Sequence, residues 1–218
     1  MVWNIFRYLA DFSHLISVLI LLYKMFSKRS CSGVSLKTQL AYLIVFLARY
    51  INPDFFDPPV YNIIFKIFFI SSSLACCILM KWGPSEIRYT YEDRHDTFRV
   101  RYIFILSAIL AFFTMPYKNV SYFLFAYSLW VESFAIIPQI FLMARTSKFD
   151  IMNREYVFFL SIYRLFYLLN WIYKLVTDTG KTLHVVWITG IVQTLIYSDF
   201  IYEYIKLRIS GSSQILPM

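Results

Sequence analysis

Seven apolar segments, each close to the length that crosses a bilayer, follow one another along this chain with only short polar connections between them. A transmembrane helix needs about 20 mostly apolar residues, and inside the hydrocarbon all its backbone polar groups must be paired. The pattern therefore predicts an all-α membrane protein with seven transmembrane helices in a single domain over residues 1–218. The segments cover approximately residues 3–23, 36–52, 59–80, 100–115, 120–143, 155–175 and 183–206.

The composition excludes an ordinary soluble domain. Of the 218 residues, 59% are hydrophobic and only 16% are charged, and the mean hydropathy is +0.58. Soluble domains are about half apolar and about one quarter charged. We therefore expect membrane lipids to surround most of the chain, and we expect no nucleic-acid partner.

Lys and Arg are distributed unevenly over the connections. Fourteen lie in the first, third and fifth connections and the tail, whereas the other side has only Lys118 and Lys181. Positive residues favour the cytosolic side of a membrane protein. The distribution predicts a luminal or exterior N-terminus and a cytosolic C-terminus, which agrees with an odd number of spans.

A weak internal repeat accompanies the spans. A shift of 118 residues brings the first two segments onto the fifth and sixth in the same orientation, and it places His14 on Glu132 and Asn52 on Asn170. The shift suggests two parallel three-helix repeats joined by a linking helix, an arrangement found among transporters. The parts would be residues 1–82, a linking helix at about 100–115, residues 120–206 and a cytosolic tail at 207–218.

Three cations inside the spans lie near the predicted luminal side: Arg7, Arg49 and Lys174. Asp11 can pair with Arg7 at i+4, whereas the other two have no obvious carboxylate nearby. Charges in lipid are costly, so we expect a water-filled cavity and an anionic luminal ligand. Arginine favours carboxylate or phosphate. The alternative for each cation alone is snorkelling to the interface.

His14 lies two turns below Arg7 on one helical face, and its repeat counterpart is Glu132. Histidine has an ordinary pKa of about 6.5, so it titrates between neutral and mildly acidic compartments. We interpret the pair as a proton-linked part of the cavity, the alternative being a satisfied core histidine. A polar and aromatic stripe on the sixth segment runs Tyr163, Tyr167, Asn170 and Lys174.

Two further cations in the spans, Lys66 and Arg164, are harder to place. Asp199 and Glu203 lie one helical turn apart on the seventh segment and would pair with one of these cations, in a structural role.

The sequence carries no phosphate loop, no GxSxG and no HExxH. His95 and His184 have no ligand partner at metal-binding spacing. We therefore expect neither an enzyme nor a metal or other cofactor.

Several stretches together resemble the KDEL receptor family, the receptors for the endoplasmic-reticulum retention signal. The resemblance runs from residue 4 almost to the end of the chain, and Pro138 and Gln139 stand where the family has its PQ pair. The stretches are FRYLADFSHL, KRSCSGVSLKTQ, ARY at 48–50, HDTFRV at 95–100, VESFAIIPQ at 131–139, YRLFYLLNWIYK at 163–174 and GIVQTLIYSDFIY at 190–202.

The resemblance implies a seven-helix fold related to PQ-loop (SWEET-like) sugar transporters. It also implies a receptor that binds luminal proteins ending in a KDEL-like tetrapeptide in the acidic Golgi and returns them to the endoplasmic reticulum through a retrograde vesicle coat. The residues implied to bind the signal are Arg7, Arg49, Tyr50, Arg164, Tyr167, Asn170, Trp171 and Lys174. Those implied for pH sensing are His14, Glu132 and Tyr163, and for transport Asp199.

The sequence departs from the family at the subsite for the first residue of the signal. Asn52 stands where the family usually has Asp, Tyr122 where it has Glu, and Phe125 where it has Trp. These changes put the usual preference for Lys or His in doubt, unless Asp54 or Asp57 substitutes. Lys174 in place of Arg keeps the charge and loses the bidentate geometry.

The tail SGSSQILPM also lacks the family's paired lysines, so Lys206 and Arg208 are the candidates for contact with the coat. The main alternative function is a proton-coupled transporter of a small anion or sugar, which would use the same cavity but open it to both sides. A G-protein-coupled receptor is disfavoured by the short connections and the repeat.

Overall fold

The structure, a computed structural model, describes residues 4–50, 60–146, 151–177 and 183–210. Asn52, Asp54, Asp57 and the tail beyond residue 210 lie outside the described residues, as do the side chains of Asp199, Glu203, Lys206 and Arg208. Within those ranges the chain forms nine helices and no strands. They are α1 (Ile5–Ser27), α2 (Leu36–Tyr50), α3 (Val60–Trp82), α4 (Ser85–Arg88), α5 (Arg101–Thr114), α6 (Val120–Phe134), α7 (Ile137–Thr146), α8 (Ile151–Val176) and α9 (His184–Ser210).

Four helical stretches in the described part of the chain are long and apolar enough to cross a membrane. Shorter apolar helices cover Arg101–Thr114 and His184–Ser198, and α2 has 15 residues, or about 22 Å. The prediction of a helical membrane protein is confirmed at this level. The four stretches are Ile5–Ser27, Val60–Trp82, Val120–Thr146 and Met152–Val176.

Caps and terminal charges account for several helix ends. The Asn4 side chain accepts a hydrogen bond from the Arg7 backbone N–H at 3.0 Å, which begins α1, and Asn119 begins α6 in the same way. Basic residues occupy the last turns of α1, α2 and α8, where a cation interacts favourably with the helix dipole.

The long stretch Val120–Thr146 is interrupted between α6 and α7. Pro138 has no backbone N–H and its ring would clash with the Phe134 carbonyl in a regular helix. The Ala135 N–H accordingly bonds to the Glu132 carbonyl at 3.4 Å, and the regular pattern resumes where Ile140 bonds to Ile136. The break lies between Glu132 and Gln139, whose side chains make their hydrogen bonds toward opposite ends of the bundle.

Helices distant in sequence pack side by side. The most extensive pairing joins α1 and α8, while α2 lies against α3 and α6, and α9 lies against α6 and α8. α5 packs on α6, and Trp130 donates from Nε1 to Thr114 Oγ1 at 2.8 Å across that contact. One end of the bundle, at which α1, α3, α6 and α9 begin and α2 and α8 end, is called the site end below.

At the opposite end, a buried polar cap holds the loop between α1 and α2. Gln139 accepts from the Ser35 backbone N–H at 2.8 Å and donates to the Gly33 carbonyl at 2.7 Å. Lys24 donates to the Ser32 carbonyl and to Asn153 Oδ1. Gly33 has a φ of +69°, and a Cβ there would lie 2.3 Å from the Asn153 side-chain nitrogen, so glycine is required.

Asp96, from the stretch HDTFRV, completes the polar cap. Its carboxylate accepts hydrogen bonds from Ser35 Oγ at 3.1 Å and from the Tyr91 hydroxyl at 2.7 Å. The Lys37 ammonium donates to the backbone carbonyl of Asp96. Burial and the hydrogen bond to this carboxylate raise the pKa of Tyr91 well above its ordinary value. The polar cap thus ties the connection 83–100 to the start of α2.

Substituting Gln139→Leu should lower the free energy of unfolding by about 2–4 kcal/mol, because a backbone N–H and a backbone carbonyl would be left buried and unpaired. Equilibrium unfolding of the purified protein in detergent measures this effect. Ser71→Ala, on an exposed serine that bonds only within α3, is the control and should change stability little. Equal stability of the two variants would contradict the importance of the polar cap.

Candidate functional site

Arg7 and Asp11 form the first charged pair at the site end. Arg7 Nε lies 3.9 Å from Asp11 Oδ2, and Arg7 Nη2 donates to Asn62 Oδ1 at 3.1 Å. Asp11 also accepts hydrogen bonds from the hydroxyls of Tyr61, at 3.0 Å, and Tyr167. The predicted pairing is confirmed, and Asp11 connects α1 with α3 and α8.

Arg49 is paired, contrary to the expectation that it lacks a nearby carboxylate. Its Nη2 donates to Glu132 Oε2, and its Nε donates to Ser128 Oγ at 3.2 Å. Glu132 also accepts from the Tyr163 hydroxyl at 2.8 Å. The expectation was wrong because packing of α2 on α6 joins residues 83 positions apart, which helical spacing cannot reveal.

His14 is buried between two aromatic rings. Its ring stacks on Phe69 with centroids 4.3 Å apart and on Tyr163 with centroids 4.5 Å apart. The same Tyr163 donates to Glu132, so one side chain connects the histidine with the carboxylate. The structure thus places together the three residues that the resemblance implies for pH sensing.

A small cavity of about 10 Å³ lies beside His14 on the side away from the site end, about the volume that one water molecule requires. Its wall is mostly apolar, but four helices each contribute a polar group, so a water there would find hydrogen-bond partners. Its polar lining consists of His14, Gln39, Tyr42, Ser73 and Tyr156.

Arg164 is buried, with only 3% of its surface exposed. Its guanidinium carbon lies 5.0 Å from the centroid of the Trp171 ring, a cation–π contact. Its Nε and Nη2 have no hydrogen-bond partner among the residues that the structure describes. Buried donors without partners are costly, and an anionic group could pair with these two.

The remaining members of the predicted stripe also reach the site end. Asn170 accepts from the Asn4 side chain at 2.8 Å, and Lys174, which follows it on α8, is half-buried. Tyr50 is partly buried, and Lys66 Nζ lies 5.5 Å from the centroid of its ring. Pairing of Lys66 or Arg164 with Asp199 or Glu203 stays a prediction, because the two acidic side chains lie outside the described residues.

Tyr122 and Phe125 occupy the first turns of α6, on the site-end side of Ser128. The Tyr122 ring lies 4.9 Å from that of Tyr117, and Phe125 packs against the apolar cluster around Leu129.

Several polar side chains of the site were missed by the sequence analysis: Asn4, Asn62, Ser128 and Gln193. Gln193 on α9 donates to the Tyr163 hydroxyl at 3.2 Å. An amide in an apolar segment must find a partner, so its position in the seventh segment was a usable signal. Asn4 and Asn62 lie near helix ends, where polar residues are common, and Ser128 is a single serine in the middle of α6, which by itself predicts no partner.

Counted over the described side chains, the site has more positive than negative charges. The described carboxylates are Asp11 and Glu132, each held by one arginine, whereas Arg164 and Lys174 add two further positive charges. Because these cations lie within the apolar bundle, a ligand with carboxylate groups would compensate them.

Comparison with known proteins identifies relatives over nearly the whole chain. Residues 30–174 match the family model described as ER lumen protein retaining receptor. The chain is similar to the ER lumen protein-retaining receptor of Entamoeba histolytica, with 37% identity over 100% of both chains, and to ER lumen protein-retaining receptor A of Arabidopsis thaliana, with 43% identity over 92% of this chain and 93% of the relative. The ER lumen protein-retaining receptor of Drosophila melanogaster is 36% identical over 98% of this chain and 99% of the relative.

Removing either partner of the Arg49–Glu132 pair should cost about 3–5 kcal/mol of stability, because an uncompensated charge stays buried. The double variant Arg49→Met/Glu132→Leu should cost much less than the sum of the single changes. Equilibrium unfolding of the four proteins measures this coupling.

The exposed pair Arg29–Glu86 provides the matched control. The same substitutions there should change stability by no more than about 1 kcal/mol. Additive costs at Arg49 and Glu132 would mean that the two charges do not stabilise each other.

Proposed function

The chain belongs to the family of ER lumen protein retaining receptors, and from this membership we propose that it binds the C-terminal KDEL-like tetrapeptide of luminal endoplasmic-reticulum proteins. The observation that supports this site for the proposal is Arg164, a buried guanidinium with two donors that no described residue pairs, on the bundle that also holds Arg7, Arg49 and Lys174. The family is one of receptors, so the protein is not an enzyme.

Four cations on three helices are suited to a short acidic peptide. Each of Arg7, Arg49 and Arg164 offers a planar guanidinium that binds a carboxylate in a bidentate way. Arg164 is the most buried of the three, so it is suited to the terminal carboxylate of a chain that enters by its C-terminus. The side chains that would line the peptide are Tyr50, Tyr167, Asn170, Trp171 and Lys174.

Binding is coupled to a proton through His14. An anionic peptide interacts more favourably with the site when the imidazole carries a charge, and by linkage the bound peptide favours that proton. The contacts from His14 to Tyr163 and from Tyr163 to Glu132 support this coupling. The receptor would therefore bind its cargo in the acidic Golgi and release it in the neutral endoplasmic reticulum.

The helix pairings support seven spans arranged as two repeats joined by α5. With α6 and α7 together as the fifth span, spans one, two and three correspond to spans five, six and seven. Under that correspondence, the contact of α1 with α8 matches that of α6 with α2. The contacts α1–α3 and α2–α3 likewise match α6–α9 and α8–α9.

The site end would face the lumen and the polar cap the cytosol. The excess of Lys and Arg in the connections next to the polar cap supports this orientation. Asp199, Lys206 and Arg208 would then lie toward the cytosolic end of α9 and serve recruitment of the retrograde coat. The protein would cycle between Golgi and endoplasmic-reticulum membranes, with lipid around its exposed apolar side chains.

A proton-coupled transporter of a small anion or sugar has less support. Such a transporter needs a pathway that opens at both ends, whereas the end away from the site is filled by the buried hydrogen bonds of Gln139, Lys24 and Asp96. Uptake of solute by reconstituted vesicles would favour the transporter instead.

A panel of tetrapeptides xDEL, tested on the purified protein in detergent at about pH 5.5 and about pH 7.5, should bind at least about tenfold more tightly at the acidic pH. Binding should require the free C-terminal carboxylate. The panel would also identify the first residue that Tyr122, with Asn52 and Asp54, accepts. Isothermal titration or peptide displacement measures the affinities.

His14→Ala should remove most of this pH dependence, whereas His95→Ala, on an exposed histidine of the connection 83–100, should leave it unchanged. If none of the tetrapeptides binds at either pH, the proposed ligand is wrong. If binding occurs but keeps its pH dependence in His14→Ala, another group is the proton acceptor.

Lys174→Arg should tighten binding several-fold, about 1 kcal/mol, because the guanidinium adds a second hydrogen bond to a carboxylate. The matched control is Lys118→Arg at an exposed position after α5. An equal gain in both variants would indicate general electrostatic attraction, and no gain at Lys174 would place that residue away from the peptide.

A further inference from the structure

Gly190 on α9 lies directly against the Trp171 ring of α8. A Cβ at position 190 would lie 2.2 Å from Trp171 Cζ3 and 3.0 Å from Cη2, far inside van der Waals contact. Within a helix, glycine is otherwise less favourable than alanine. Its presence here is therefore explained by the space that the indole occupies on the backbone of α9.

The indole is fixed on its other sides as well. Trp187 of α9 contacts it at a centroid distance of 6.1 Å and Tyr167 of α8 at 6.2 Å, and only 7% of Trp171 is exposed. A ring confined in this way cannot move aside for a methyl group without displacing its neighbours.

Trp171 in turn positions Arg164. The guanidinium lies over the ring at 5.0 Å, while its Nε and Nη2 have no hydrogen-bond partner among the described residues. The orientation of Arg164 therefore depends on the ring face more than on hydrogen bonds, and its donors stay available to a ligand carboxylate.

We propose that Gly190 is a positioning residue for signal recognition: the absence of a Cβ allows Trp171 to lie against α9, where its ring holds the Arg164 guanidinium ready for a peptide carboxylate. This inference rests on the proposed function. It adds α9, through its backbone, to the helices that determine affinity.

The test compares Gly190→Ala, Trp171→Leu and the double variant, each in the full-length protein in detergent. Affinities are measured for an xDEL peptide as the free acid and as the C-terminal amide. Gly190→Ala should weaken free-acid binding about tenfold, the scale of a lost buried cation–π contact. The preference for the free acid over the amide should shrink with it.

In the Trp171→Leu background the same alanine should cost nothing further in affinity, because the atoms it would meet are gone. The unfolding midpoint should fall in Gly190→Ala and recover in the double variant, since alanine then has only its favourable helix propensity. As the matched control, Gly190→Ala combined with Trp82→Leu, on an exposed tryptophan, should behave like Gly190→Ala alone.

The inference would be overturned if Gly190→Ala binds the peptide with wild-type affinity. It would also be overturned if Gly190→Ala weakens binding by the same factor in the Trp171→Leu background as in the wild type. A wild-type protein that binds no tetrapeptide would overturn the proposed function, and with it the role of Gly190 in recognition. In that case, the unfolding midpoints would still report on packing. A midpoint that falls in Gly190→Ala and recovers only when Trp171 is also replaced would show that the two residues are in contact, although the proposed function is wrong.

Discussion

The structure depends on the cost of a buried charge in an apolar bundle. Lipid offers a charged or polar group no partner, so each one must be compensated by another helix or by the ligand. Arg7 has Asp11, Arg49 has Glu132, and Lys24 has a carbonyl and an amide. Because Glu132 and Asn153 lie on helices other than those of their cations, the contacts that compensate charge also help determine which helices pack together.

The two ends of the bundle satisfy this requirement differently. In the polar cap, the side chain of Gln139 makes two buried hydrogen bonds to backbone groups, and the Asp96 carboxylate has two hydroxyl donors. At the site end, Arg164 contacts a ring face, and two of its donors have no partner in the described part of the chain. The polar cap is therefore held mainly by groups of the protein itself, whereas the site end, under the proposed function, would be completed by an anionic peptide.

Much of what could be predicted from the sequence came from the local spacing of apolar and charged residues. The apolar lengths predicted a helical membrane protein, and the i, i+4 spacing predicted the Arg7–Asp11 pair. The partners of Arg49 and Gln139 lie 83 and more than 100 positions away, so they depend on helix packing that no spacing encodes. Gly190 was missed for the same reason, because a glycine in an apolar segment does not reveal which ring lies against it.

Under the proposed function, the pairing of Arg49 with Glu132 would make peptide binding an exchange of carboxylates. A peptide carboxylate that takes Arg49 must replace one that the arginine already has, so affinity reflects the difference between two similar contacts. Glu132 would then keep Tyr163 and the charge of Arg164 and lose its nearest cation. A proton on His14, stacked on the same Tyr163, supplies a positive charge close to that carboxylate. The exchange is thus favoured where protons are abundant, which connects the internal ion pair with the proposed release at neutral pH.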